Sequence, residues 1–475
     1  MKELSLANAG ARIMYASMAA SVLLFVSACG GGGGGNATDS ASQTGGSASA
    51  GAAPAPIAMA APATISKALE VPQALAEGPF STGKSLNVPE GFGVRLWALV
   101  DKARFMALAP NGDVLVSVPA SGQVILLRPR GNEVPERFEF AGGLQTPHDM
   151  VFHQIDGVTY LYIAESNRVT RSVYTSGATQ TATRETVIAD LPDASTPELR
   201  GAYNHQLKNI ALSPDHKLYL SIASACNACP EDATSDPVRG AIYEYNADGT
   251  NRRLFARGVR NAEGLDFLPG TNQLWAALIG RDQISYPFEN DYDGDGEPDH
   301  GKIMQRFVDD NPPELFTRIR DGGHYGWPFC NPVPNESMTS PALVRDYVLN
   351  LDGARLDCAN VDRAAKGIRA HATPLGFSFL HDSNVPAPYR RGAVVALHGC
   401  WNCSSLNAGF KVIYFPFDDA GNPGAEIDLV SGFVTDPDER TVWGRPVDAI
   451  PDGKGNILIS DDHAGAIYQL YPTGR

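Results

Sequence analysis

Four short segments place a basic or imidazole side chain just ahead of an apolar, strand-like run. They are "TPHDMVF" with His148, "YNHQLKNI" with His205, "GVRNAEGLDF" with Arg260 and Asn261, and "WGRPVDAI" with Arg445. An imidazole titrates close enough to neutrality to take a proton from a hydroxyl. A guanidinium presents a planar fork to a carboxylate or to a developing oxyanion. A single histidine at a strand start is ordinarily a satisfied structural residue. Two histidines and two arginines brought to one place would suit an anionic, polycarboxylate ligand with proton transfer beside it.

A second group of oxygen donors lies in "DYDGDGEPD", where Asp291, Asp293 and Asp295 followed by Gly296 match the start of an EF-hand loop. The twelfth position is Lys302 rather than a bidentate glutamate, so this is not a standard EF-hand. We expect a short structural calcium loop that includes Asp299 and stands off the catalytic axis.

The chain has seven cysteines. Cys29 ends "VSAC", which resembles a bacterial lipobox, and follows an apolar stretch with Lys2 and Arg12 at its start. We therefore expect a lipoprotein signal peptide over residues 1–28 and lipidation of Cys29. Gly30, standing where a retention aspartate could have been, favours the outer membrane, with the protein facing the periplasm or the cell surface. An Ala/Gly/Ser/Pro-rich tether is expected over 29–80, because such a composition cannot bury enough apolar surface to offset its ordering entropy. Export favours disulfides among the other six cysteines over a four-thiolate zinc site, although connectivity stays open. The expected pairs are Cys226 with Cys229, Cys330 with Cys358, and Cys400 with Cys403.

What could bring the four segments together is a repeat. "MALAPNGDVLVSV", "MVFHQIDGVTYLYIA", "IALSPDHKLYLSIAS", "LDFLPGTNQLWAAL" and "DAIPDGKGNILISDD" share an apolar triplet, a turn and an alternating strand. The first four recur at roughly 45 to 60 residues, near the size of a propeller blade with insertions. A further blade fits between His371 and Phe417. "GFGVRLWAL" from Gly91 would complete the blade formed by the C-terminal "GNILISDDHAGAIYQLY". The expected fold is all-β: a six-bladed β-propeller of four-stranded antiparallel blades over 81–475. Long helical periodicity is nearly absent, which excludes Rossmann, TIM-barrel and bundle folds. The net charge of −15, without a basic stripe, argues against nucleic acid as a partner.

In the ordered set "ARGVRNAEGLDF", "DDNPPELFTRIRDGGHYGWP" and "GRPVDAIPDGKGNILISDD", together with His205 and the strand after it, the sequence resembles the soluble quinoprotein glucose and sorbosone dehydrogenases. These are six-bladed propellers that use pyrroloquinoline quinone (PQQ) and calcium. "SACNAC" and "HGCWN" are more similar to the sorbosone and pyranose dehydrogenase branch. The resemblance implies His205 as general base toward a sugar or polyol-aldehyde hydroxyl. It implies Arg260 and Asn261 at the quinone, with the guanidinium also stabilising the developing oxyanion, and Arg445 as a clamp on a cofactor carboxylate. His148 belongs to the same cofactor rim. Asn311 and Pro312 fall where main-chain carbonyls hold calcium, a hard Lewis acid. The electron acceptor, a cytochrome or the quinone pool, is not identified.

Two departures stand out. An aspartate that orients the base in the glucose enzyme is replaced by a residue near Ser224, leaving open what holds His205. A lysine of the fifth blade is missing from "ALHGCWNCSS", so that His398, Trp401 or Asn402 would line the pocket, and we assign Trp401 to the cofactor. Two other readings compete: a non-catalytic, lipid-anchored binding propeller, and a calcium-dependent lactonase-like hydrolase. The hydrolase would need acidic metal ligands on the channel axis, where carbonyl candidates predominate.

Overall fold

The computed structural model describes residues 63–474, apart from Asp382. The expected leader, the Cys29 lipidation site and the tether up to residue 62 lie outside the described residues. Among those described, six antiparallel four-stranded sheets form the blades, one of them extended by a short fifth strand. Their first strands are Met106–Leu108, Met150–Ile155, Ile210–Leu212, Asn261–Phe267, Pro374–Phe379 and Pro446–Pro451. Five of these are the predicted repeat units, and Pro374–Phe379 opens the blade inferred after His371. The single α-helix among the described residues, Gln305–Val308, is one turn long.

The alternating strands bury one face against each neighbouring blade, so the core is divided by junction. Leu126 and Leu161 join blades 1 and 2. Tyr162 and Leu220 join blades 2 and 3, and Tyr219 and Phe267 join blades 3 and 4. Phe316 stacks on Phe415 across blades 4 and 5 with ring centres 5.3 Å apart. Blades 5 and 6 meet around Tyr414 and Tyr468. Blades 6 and 1 meet around Ile467 and Val116.

The ring closes as expected. Phe92–Leu99 pairs antiparallel with Ala466–Pro472 and supplies the outer strand of the last blade. The expected tether over 29–80 is corrected in its last part, because the described strand Thr64–Ala68 and the segment after it are folded. Thr64–Ala68 pairs with Ser85–Pro89, and Leu69, Leu75 and Phe80 are buried against blades 5 and 6. Phe80 meets Trp443 edge-on at 6.4 Å. These three apolar residues lie in a polar, Pro-containing stretch whose low periodicity conceals a packed strap.

First strands of all six blades line a central cavity of about 300 Å³. Three aspartates on them bridge alternate junctions. Asp149 accepts the N–H of Met150 at 2.7 Å and that of Ile210 in the next blade at 2.9 Å. Asp266 accepts from Phe267 at 2.8 Å and from Phe379 at 3.4 Å. Asp448 accepts from Ala449 at 2.8 Å and from Met106 at 2.9 Å, joining the last blade to the first. Burial pushes Asp448 up to about 7, against its two N–H donors. Folding therefore takes up a proton there. The associated stability is fully present below the ordinary carboxyl range and is lost as pH rises through about 7.

Asp448→Asn would leave one of the two N–H groups facing an amide NH₂, a loss of about 1–3 kcal/mol. We predict a lower melting temperature for this variant, with the gap to wild type narrowing as pH is raised through neutrality. Thermal unfolding followed across pH checks both the sign and the trend.

Candidate functional site

The residue just before each first strand faces the same mouth of the channel, and in every blade a basic or imidazole side chain stands at or near it. Blade by blade these are Arg104, His148, His205, Arg260, His371 and Arg445. Sequence reading found four of the six. Arg104 precedes Met106 by the same two residues that separate His148 from Met150, a signal that was available. His371 is set further back, behind Thr373, and both residues have positive φ (61° and 54°).

His205 is the side chain best prepared to move a proton. Its Nδ1 lies 2.8 Å from the Ser224 carbonyl and 3.1 Å from the Ser224 hydroxyl. A carbonyl can only accept, so Nδ1 carries the hydrogen and Nε2 keeps a bare lone pair. Burial, followed by the nearby Arg260 charge, lowers the imidazole to about 4, and it is neutral at ordinary pH. What replaces the orienting aspartate is thus a main-chain carbonyl in blade 3.

Arg260 is buried and doubly held: Nε donates to the Asn227 carbonyl at 3.0 Å and Nη2 to Asp282 at 3.0 Å. Asp282 also faces His371 Nδ1 at 3.4 Å, while His371 Nε2 donates to the Val308 carbonyl at 2.5 Å. Both ring nitrogens of His371 donate, which is the imidazolium form. Burial, the largest single influence, opposes that form, but Asp282, the Glu314 charge and the Val308 carbonyl together outweigh it and raise the pKa.

Arg445 donates to the His398 and Gly399 carbonyls, each at 3.1 Å. Arg104 pairs with Asp462 at 2.9 Å, and Asp462 accepts from His398 Nε2 at 2.9 Å. Burial takes His398 down to about 4 despite that carboxylate.

Deeper in the mouth, His148 is fully buried. Its Nε2 donates to Glu263 at 3.0 Å, and Asn261 donates to the other oxygen of that carboxylate at 2.9 Å. His148 and Asn261 therefore meet through Glu263, a layer beneath the open mouth. Lys208 is also buried and donates to the Gln206 carbonyl at 2.5 Å; burial lowers its ammonium to about 7. Sequence reading missed Lys208, and also Glu263, Asp282 and Asp462, whose roles depend on partners from other blades or distant loops.

The donor set suits a planar polyanion. Arg104 Nε and both amide atoms of Asn402 are buried without a partner. Near the same mouth, a glycine Cβ at Gly280 would lie 3.2 Å from Glu314 Oε2, 3.5 Å from the Pro313 carbonyl and 3.8 Å from the Pro312 ring. Main-chain oxygens of Asn311 and Pro312 accept no hydrogen bond among the described residues. The Glu314 carboxylate, pushed up to about 7 by burial, accepts the Gly280 N–H beside them.

Other expected positions fall elsewhere. Trp401 is 63 % exposed on the loop after Leu397, not inside the channel. Asp291, Asp293 and Asp299 bring one carboxylate oxygen each within 4.8 Å of one another. Asp295 stands outside that group and accepts the Glu297 N–H at 2.8 Å, a correction to the expected loop. Asp299 also pairs with Lys302 at 2.8 Å. The three expected disulfides are all present.

Comparison with known proteins adds four findings. The model of a family described as TrAA12-like matches residues 86–473. An uncharacterized protein of Borreliella burgdorferi is 23% identical over 396 residues, covering 82% of this chain and 91% of its own. Among solved structures, the calcium structure of Trichoderma reesei Carbohydrate-Active Enzymes Family AA12 superposes with a TM-score of 0.66 at 18% identity, covering 81% of this chain and 96% of that one. The holo form of the pyranose dehydrogenase PQQ domain from Coprinopsis cinerea gives 0.64 at 17%, with 81% and 97% covered. At such identities the two structures speak for the fold.

We predict that ¹⁵N spectra of the His205 ring will show one neutral tautomer, protonated on Nδ1, from neutral pH down to about 4. A ring that titrates near its ordinary value would contradict the buried, carbonyl-bonded geometry.

Proposed function

We infer the function of this chain from one premise: it belongs to the TrAA12-like family. On that premise we propose a PQQ- and calcium-dependent oxidoreductase that oxidises a sugar or sugar-derived aldehyde of the sorbosone, aldose or pyranose type. The observation that carries the reading is His205, with its bare Nε2 lone pair and tied-down Nδ1, among guanidinium groups at the channel mouth. A solved neighbour described as a PQQ domain supports the choice of cofactor.

When bound, the quinone would supply the two-electron acceptor for a hydride leaving the sugar carbon, and calcium would supply Lewis acidity. Arg445 and Arg104 would hold its carboxylates, and the Asn311 and Pro312 carbonyls would hold the cation. The protein's own part in turnover is smaller and more definite. His205 Nε2 takes the proton of the substrate hydroxyl while the Ser224 carbonyl keeps the ring from rotating. Arg260, desolvated and fixed by Asp282, places positive charge where oxygen becomes anionic.

The channel carboxylates weigh against a lactonase-like hydrolase. Asp149, Asp266 and Asp448 spend both oxygens on backbone N–H donors and so are poor metal ligands. A display scaffold has no need for a base beside buried guanidinium groups.

Reconstitution with PQQ and Ca²⁺ should give reduction of an artificial acceptor on addition of aldoses or sorbosone. Absence of quinone binding in excess Ca²⁺ would reject the reading. His205→Ala should retain the quinone absorbance yet lose roughly 10²- to 10⁴-fold in kcat.

We further propose an exported lipoprotein anchored through Cys29 in the outer membrane; the three disulfides fit an oxidising compartment. Cys29→Ala should move the protein from the membrane fraction to the soluble one. Unchanged membrane association in that variant would remove the anchor.

A further inference from the structure

The base and the guanidinium hang from one short loop. Ser224 accepts from His205 Nδ1 at 2.8 Å through its carbonyl, and its own N–H donates to the Arg260 carbonyl at 2.8 Å. Three residues on, the Asn227 carbonyl accepts from Arg260 Nε at 3.0 Å and from Trp327 Nε1 at 3.1 Å. The Asn227 side chain then grips Asp282 at both ends of its backbone: Oδ1 accepts the Asp282 N–H at 2.8 Å, and Nδ2 donates to the Asp282 carbonyl at 2.8 Å. The Asp282 carboxylate is the other partner of Arg260. Both anchors of the guanidinium are therefore Asn227 itself or the residue that Asn227 clamps.

The loop is pinned from behind. Cys226 and Cys229 close it covalently. Asp232, itself paired with Arg239 at 2.6 Å and fully buried, accepts the Ala225 N–H at 2.6 Å. The turn that carries the base is keyed to the same stretch, since the Tyr203 hydroxyl donates to the Ala223 carbonyl at 2.7 Å and the Asn204 N–H to the Ala225 carbonyl at 3.2 Å.

We propose that the bridged loop Ser224–Cys229 is the positioning element of this site, with Asn227 as a positioning residue that sets the His205 imidazole and the Arg260 guanidinium relative to each other. The proposal rests on the reading of His205 as general base and adds to it a dependence of turnover on the Cys226–Cys229 bridge. A misplacement of about 1 Å between reacting groups costs on the order of 10²-fold. A loosened mount should therefore act on kcat and leave KM nearly unchanged.

Two variants test it, Asn227→Ala and Cys226→Ser/Cys229→Ser, with Cys330→Ser/Cys358→Ser as a bridge removed elsewhere. In the protein without cofactor, ¹⁵N spectra should show the single Nδ1–H tautomer of His205 in wild type and in the control. A mixture of tautomers is expected in both loop variants. In the reconstituted enzyme the loop variants should lose about 10²-fold in kcat and shift the acidic limb of the pH profile, while the control keeps both. A wild-type tautomer in Asn227→Ala, or a kcat loss that merely follows melting temperature and is matched by the control, would overturn the proposal. Should wild type bind no quinone, the functional reading fails, and the tautomer measurement still decides the role of the loop. If the double cysteine variant does not fold, Asn227→Ala carries the test alone.

Discussion

Everything at the channel mouth depends on the closure of a ring. No blade buries both faces by itself, because each apolar strand face is completed by the neighbouring sheet. The strand Phe92–Leu99, arriving from the N-terminal side to finish the C-terminal blade, converts a row of sheets into a circle. The closure is reinforced at the same junction by Asp448, which holds the Met106 N–H, and by the Ser460 hydroxyl, which donates to the Arg104 carbonyl at 2.6 Å. The second contact matters for chemistry as well, since it fixes the backbone of a residue whose guanidinium stands at the mouth. The loops that carry basic groups inherit their mutual distances from sheet packing.

The guanidinium groups and the His371 imidazolium, desolvated in this way, would repel one another without compensation, and the compensation is distributed residue by residue. Arg260 and His371 share Asp282; Arg104 shares Asp462 with His398; His148 is matched by Glu263. Arg445 is the exception, bonded to carbonyls rather than to a carboxylate, which leaves its charge least neutralised. Breaking such a buried pair leaves an unpaired charge, so each acid is as much a part of the site as the base it serves. The arrangement is pre-organised for an anionic guest, because the donors are oriented before it arrives.

Much of this was legible in the sequence, and what was missed has a common cause. The turn-and-strand repeat announced five of the six inner hairpins, and His205, Arg260 and Arg445 stand ahead of the first strands of their blades, as their segments suggest. The short C-x-x-C spacings gave two of the disulfides directly. By contrast, Glu263 meets His148 across 115 residues, and Asp462 meets His398 across 64. Such pairings are created by the ring and leave no local pattern. Asp149, Asp266 and Asp448 violate the usual expectation that an acid on an alternating strand faces bulk water; here the inward face is a polar channel. The strap that carries Leu69, Leu75 and Phe80 was hidden for the opposite reason, since three scattered apolar residues among Pro, Gly and Glu carry no period at all.

The exchange of a carboxylate for a carbonyl beside the base has a consequence for how the site must work. A carboxylate on Nδ1 would favour the imidazolium and raise the pKa of the ring. The Ser224 carbonyl fixes the same tautomer without that charge, and burial together with Arg260 leaves the ring near 4. Such a base is free at every ordinary pH, so none of it is lost to protonation, but its affinity for a proton is low. In the reaction we propose, proton transfer to it would depend on making the substrate hydroxyl more acidic, through the guanidinium beside it and through any cation held at the Asn311 and Pro312 carbonyls. An anionic guest bound over the mouth would push in the other direction, offsetting the field of Arg260 and making the imidazole more basic only when the site is filled.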